Sequence, residues 1–183
     1  MERKYAWHNY DDATMEKVYA LSDTYRQFLD NGKTERECVV QAVEFAEAKG
    51  YVNLKDIIKS NTPIKAGDKL YYTHMDKSIA LFNIGTDDIE LGMNILGAHI
   101  DSPRIDVKQN PQYEDSNLVF WDTHYYGGIK KYHWVAMPLA IHGVVVKTDG
   151  TRININIGDN ENDPVFCITD LLPHLGQEQM QKN

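Results

Sequence analysis

Apolar side chains recur at helical spacing between about Ala13 and Leu29, at Met15, Val18, Tyr19, Tyr25, Phe28 and Leu29, and so predict an amphipathic helix there. Asn31-Gly32 supplies a stop. Thr34-Glu35-Arg36-Glu37 then reads as a capping box, with Thr34 as N-cap and Glu37 reaching back to it. The helix it opens places Val39, Val40, Val43 and Ala46 on one face and ends near Gly50. Leu54 to Ile58 predicts a further helical turn. Two strand-like runs follow, Lys69 to His74 and Ser78 to Ile84, connected through Asp76-Lys77. A third apolar run, Met93 to Ala98, lies between Gly92 and the turn pair Ser102-Pro103 and predicts a short buried strand. This gives helices first and then a run of at least three strands.

The patterning changes after Val107-Lys108. Gln109-Asn110-Pro111 is rich in turn formers, and a domain boundary is expected near residues 108 to 112. Beyond it come the apolar runs Leu118 to Trp121 and Leu139 to Val146. Asp149-Gly150 joins the latter to the alternating strand Thr151 to Ile157, which is a hairpin signal. The second part is therefore β-rich.

Composition narrows the class. The 183 residues are 42% hydrophobic and 25% charged, as in ordinary globular proteins. A formal net charge of −8 with no basic tract argues against nucleic acid or an anionic membrane as partner. Lys130-Lys131 is read as a solvated surface pair. Cys38 and Cys167 show no CxxC spacing and fit reduced, buried thiols in a cytoplasmic protein. The polar start Met1-Glu2-Arg3-Lys4 does not resemble a signal peptide, and no run has the length of a membrane span.

The strongest chemical candidate is His99-Ile100-Asp101, directly after the Met93 to Ala98 run. Residues two apart in an extended segment point to the same side. An imidazole and a carboxylate so placed suit a metal-bound His whose second ring nitrogen is held by an acceptor. The end of a strand in an open α/β sheet is also where ligands bind. A half-buried His–Asp pair at a strand end is the purely structural alternative. Neither G-x-S-x-G, nor a P-loop, nor His-Glu-x-x-His occurs, so serine hydrolase, NTPase and thermolysin-like chemistries lack their first requirement.

Gly97-Ala98-His99-Ile100-Asp101-Ser102-Pro103, followed by Val107-Lys108, Tyr126-Gly127-Gly128, Trp134 and Leu139, resembles the aspartyl aminopeptidase/aminopeptidase I family of zinc exopeptidases in order and approximate spacing. The resemblance runs from the first helices to the last residues. It implies that His99 binds one of two zinc ions and that Asp101 supports it and serves catalysis. It implies residues 1–110 as the N-terminal part of an α/β zinc-peptidase domain, and 111–183 as the first part of an inserted β-rich subunit-contact domain. The expected activity is removal of an N-terminal residue, acidic by preference, from peptide substrates by a cytoplasmic homo-oligomer.

That family's other site residues are a bridging Asp, an adjacent Glu pair, a further Asp and a distal His, all beyond the inserted domain. No Glu-Glu occurs here, so the chain is expected to be an N-terminal fragment, inactive alone. The competing hypothesis is a shortened, non-catalytic assembly or binding module. His174, in Leu172-Pro173-His174-Leu175, matches a Pro-His-Leu of the inserted domain. The family's His four residues later is Glu178 here, and its Asp-Arg after the Trp is replaced within Val135-Ala136-Met137-Pro138. A structural role, facing either core or solvent, is expected for His74, packing roles for His124 and His133, and a cross-strand one for His142.

Overall fold

Thr34 does what its position requires. In a computed structural model describing residues 5–178, the Glu37 amide donates to the Thr34 hydroxyl, and Glu37 accepts from the Thr34 amide at 2.9 Å. This closes the capping box over orphan donors of the helix that follows. That helix is α2 (Glu35–Ala48); it is preceded by α1 (Asp12–Asn31), whose N-cap is Asp11. The α2 face toward the core carries Cys38, Val39 and Ala46. Val40, expected on that face, is exposed, because the 3.6-residue repeat gives its place to Cys38.

β1 (Val52–Asn53) leads into α3 (Leu54–Ser60), and α3 returns the chain to β2 (Lys69–His74), parallel to β1. β3 (Ser78–Asn83) pairs antiparallel with β2. The sheet order β1-β2-β3 makes β2 central. Its adjacent residues Leu70 and Tyr71 are both buried, since a strand covered on two faces need not alternate. The hairpin turns one residue earlier than Asp76-Lys77: Met75 and Asp76 take positive φ, and the Lys77 amide donates to the His74 carbonyl. Arg36 Nη1 donates to the Met75 carbonyl at 2.8 Å and so ties α2 to this turn.

The expected strand at Met93–Ala98 does not form. This segment has no paired strand among the described residues, and Leu96 is fully exposed. An apolar run suits a buried strand, yet it needs a neighbour to supply the ladder.

The chain divides into two compact units, Met1–Asp101 and Ser102–Asn183. The division precedes the expected 110/111 boundary, which falls inside a strand. In the second unit β4 (Arg104–Asp115) pairs antiparallel with β5 (Leu118–Tyr126). Gln109-Asn110-Pro111, expected to form a turn, instead lies within β4, where the register shifts between Val107 and Gln112. A bulge accommodates a proline that a regular ladder would not. β6 (Ile141–Val146) and β7 (Arg152–Ile157) form the hairpin that Asp149-Gly150 predicts, and Asp149 accepts from the Thr151 amide.

Isolated bridges join Val135 to Ile168 and Leu139 to Phe166. Alternation about them turns Phe166 and Ile168 inward and Cys167 outward, so Cys167 is exposed, contrary to expectation; Cys38 is buried. Among the described residues no helix is long and apolar enough to cross a membrane.

Gly158 follows β7 with φ +112°, and a Cβ there would stand 2.9 Å from Ala140 Cα. Gly158→Ala should cost roughly 1–3 kcal/mol, read as earlier chemical unfolding and weaker amide protection in β6 and β7. The loop after Gly158 is closed by Asp163, whose Oδ2 accepts from the amides of Gly158 and Asn160 and from the Asn160 side chain. Those donors, the Gly158 amide foremost, hold the Asp163 carboxyl below its ordinary 3.8. A carboxylate so favoured stabilises the fold above the unfolded-state value and loses that contribution as pH falls through the lower folded value. In a carbon-13 NMR titration Asp163 should therefore titrate below 3.8; an ordinary midpoint would mean that the closure does not form in solution.

Candidate metal centre around His99

His99 lies in chain that forms neither helix nor strand; the strand expected to end at it is missing among the described residues. The relation between His99 and Asp101 is nevertheless the one their spacing predicts. His99 Nδ1 stands 3.1 Å from Asp101 Oδ1 and 3.1 Å from the Asp101 backbone oxygen. Both neighbours are acceptors, so the ring proton belongs on Nδ1. The neutral imidazole then carries its lone pair on Nε2, the atom free to meet a metal. The His99 side chain is 84% exposed, whereas that of Asp101 is less than half as open, at 38%. The donor set thus fits one zinc ligand together with the carboxylate that fixes its tautomer.

It does not fit a whole zinc centre. Zinc in a catalytic site takes three protein ligands with water in the fourth position. Among the described residues no three His, Cys, Asp or Glu side chains gather in a metal-holding group.

The other histidines are placed differently. His74, His124, His133 and His174 are exposed; solvent is one of the two sides the reading of His74 allowed, His133 packs edge-on against the Tyr132 ring at 4.4 Å, and the packing expected for His124 is not what its environment provides. His124 lies on β5, and His133 in the short turn that follows it. His142 is in register with Asn156 across the β6–β7 hairpin, and its Nε2 lies 3.3 Å from Asp159 Oδ1. This second imidazole–carboxylate pair has no short-range sequence signal, since its members are brought together by the hairpin and the loop after it. Arg104 likewise carries no local sequence signal: its Nε donates to Asp106 at 2.7 Å, and its guanidinium lies 4.1 Å from the Tyr126 ring centre. The register of β4 on β5, Arg104 opposite Tyr126, creates that contact.

Comparison with known proteins defines the class. The model of the aminopeptidase I zinc metalloprotease (M18) family matches residues 28–183, and the chain belongs to that family. A probable M18 family aminopeptidase 1 from Clostridium acetobutylicum is 52% identical over 181 residues, covering 99% of this chain and 39% of the relative. Its counterpart from Thermotoga maritima is 46% identical over 182 residues, covering 97% of this chain and 38% of the relative. Among solved structures, aminopeptidase I from Clostridium acetobutylicum superposes with a TM-score of 0.84 at 52% identity, covering 100% of this chain and 40% of that one. Aminopeptidase I from Borrelia burgdorferi B31 also gives 0.84, at 42% identity, covering 92% and 41%. The chain therefore spans about two fifths of the length of these relatives.

The tautomer is open to measurement. Long-range proton–nitrogen spectra at pH 8 should show the His99 proton on Nδ1, and Asp101→Ala should move population toward the Nε2–H form. An Nε2–H ring in the parent protein would contradict the geometry.

Proposed function

We propose that this chain supplies the first zinc ligand, His99, and its orienting carboxylate, Asp101, to an M18 aminopeptidase of the relatives' length. The observation that carries the reading is the Nδ1 contact to Asp101, which leaves Nε2 to the metal, within a chain matched by that family over residues 28–183. Zinc, when bound in such sites, polarises a carbonyl and makes water nucleophilic near neutral pH. His99 holds the metal as neutral imidazole. Asp101 keeps the ring turned and its tautomer fixed, and so raises the basicity of Nε2. The substrate on this reading is a peptide whose N-terminal residue is removed, an acidic residue by preference.

The first unit is assigned to the N-terminal part of the α/β catalytic domain, and the second to the start of the β-rich subunit-contact domain. The second assignment draws support from aromatic exposure. The five buried hydrophobic residues among those described (Cys38, Val39, Ala46, Leu70 and Tyr71) all lie in the first unit, whereas Trp121, Tyr125 and Tyr132 of the second are exposed. Aromatic residues left in water on thin hairpins suit a protein surface that another copy covers. On this reading the complete enzyme is a homo-oligomer.

Zinc content provides the test. In the complete enzyme His99→Ala should remove one zinc per subunit, and Asp101→Asn should lower metal affinity or activity on the order of 10–100-fold. Unchanged zinc content in His99→Ala would eliminate the ligand assignment. Residues 1–183 alone should show no metal-dependent peptidase turnover, because one imidazole cannot assemble the site. Turnover abolished by His99→Ala would reveal a complete centre within the chain.

A further inference from the structure

Acidic residues number 27 in this chain, yet none occurs from Thr123 to Thr148. The same stretch holds Lys130, Lys131 and Lys147. A chain of net charge −8 thus contains one long tract in which every formal charge is positive.

The two adjacent lysines sit on a defined support. The Tyr126-Gly127 step ends β5, and Gly127 turns the chain with φ +72°. Lys131 to His133 form one 3-10 turn, closed by the His133 amide on the Lys130 carbonyl at 2.9 Å and the Trp134 amide on the Lys131 carbonyl at 3.0 Å. Beyond it, the Ala136 amide donates to Ile168 at 2.8 Å and the Leu139 amide to Phe166 at 2.8 Å. The loop is tied down on both sides. Lys131 Nζ lies 5.2 Å over the Tyr125 ring, which limits its motion and leaves its charge unneutralised. Lys130, Lys131, Tyr132 and His133 are all exposed.

Cations elsewhere on this hairpin are treated differently. Arg104 is paired with Asp106, and Lys108 with Asp122 at 3.6 Å. Neither Lys130 nor Lys131 has a carboxylate partner among the described residues. Two neighbouring ammonium groups on a braced turn, beside an exposed phenol, are arranged to receive carboxylates from outside.

We propose that the Lys130–His133 turn is an exosite that captures acidic segments of a polypeptide. The proposal rests on the reading of the chain as part of a peptide-acting enzyme. It concerns carboxylates along the body of the peptide, and is independent of which N-terminal residue is removed. Nucleic acid fits less well, because two or three cations must then offset the repulsion of a polyanion by the remaining negative charge. Capture of this kind acts through long-range attraction, which speeds encounter and weakens as salt shortens the screening length.

The test uses residues 1–183 and two fluorescein-labelled peptides of equal length, one alternating glutamate with glycine and one alternating glutamine with glycine. Anisotropy at about 20 mM salt should show the glutamate peptide bound roughly tenfold or more tightly than the glutamine peptide, with the difference lost near 0.5 M salt. Lys130→Gln with Lys131→Gln should abolish the difference, with an unchanged circular dichroism spectrum. The control Lys17→Gln with Lys65→Gln removes the same charge from exposed sites in the first unit and should preserve it. Equal binding of the two peptides overturns the exosite, as does equal weakening by the control pair. Self-association that requires Lys130 and Lys131, without glutamate-peptide binding, also overturns it and assigns the turn to contact between copies. Zinc content of the complete enzyme, read separately, tests His99; a failure there leaves a positive peptide result standing as binding alone.

Discussion

A buried phenol must keep its hydroxyl satisfied, and in this chain that requirement joins three elements. The Tyr71 hydroxyl, on the central strand β2, donates to Glu47 Oε1 of α2 at 2.6 Å and accepts from Asn53 Nδ2 of β1 at 3.4 Å. Hydrogen bonding to the Glu47 carboxylate, with burial second, pushes the Tyr71 hydroxyl above its ordinary 10.0 and keeps it a donor across the physiological range. Leu70 beside it and Val39 of α2 supply apolar burial, worth about 1.5–3 kcal/mol for each such side chain. Burial of that kind is non-directional and would tolerate sliding; the phenol contacts fix where α2, β1 and β2 stop relative to one another.

Local rules were legible wherever the stabilising partner lay close in sequence. The capping box at Thr34 and Glu37, the β2–β3 and β6–β7 hairpins, and the His99–Asp101 contact are settled by residues two to a few positions apart. Readings that depended on distant partners fared worse. Met93–Ala98 has the composition of a core strand and no ladder among the described residues. Gln109-Asn110-Pro111 has the composition of a turn, whereas the bulge that absorbs Pro111 depends on the opposite strand. The pairs His142–Asp159 and Arg104–Tyr126 are products of register and loop closure, and nothing in the local sequence announces them.

The candidate site divides along the same line. Which nitrogen of His99 is free follows from Asp101, two residues away, because both oxygens near Nδ1 can only accept. What the free nitrogen meets depends on ligands that no local pattern around His99 provides. A single neutral imidazole in water binds zinc in competition with solvent, and its Asp partner cannot replace the missing ligands. What the pair fixes by itself is orientation: the two Asp101 oxygens hold the ring in one tautomer and leave Nε2 unprotonated. The separation also explains why the motif can be recognised in a chain that spans two fifths of its relatives' length. Membership of the family rests on the match over residues 28–183, whereas the tautomer of the ring rests on two residues alone.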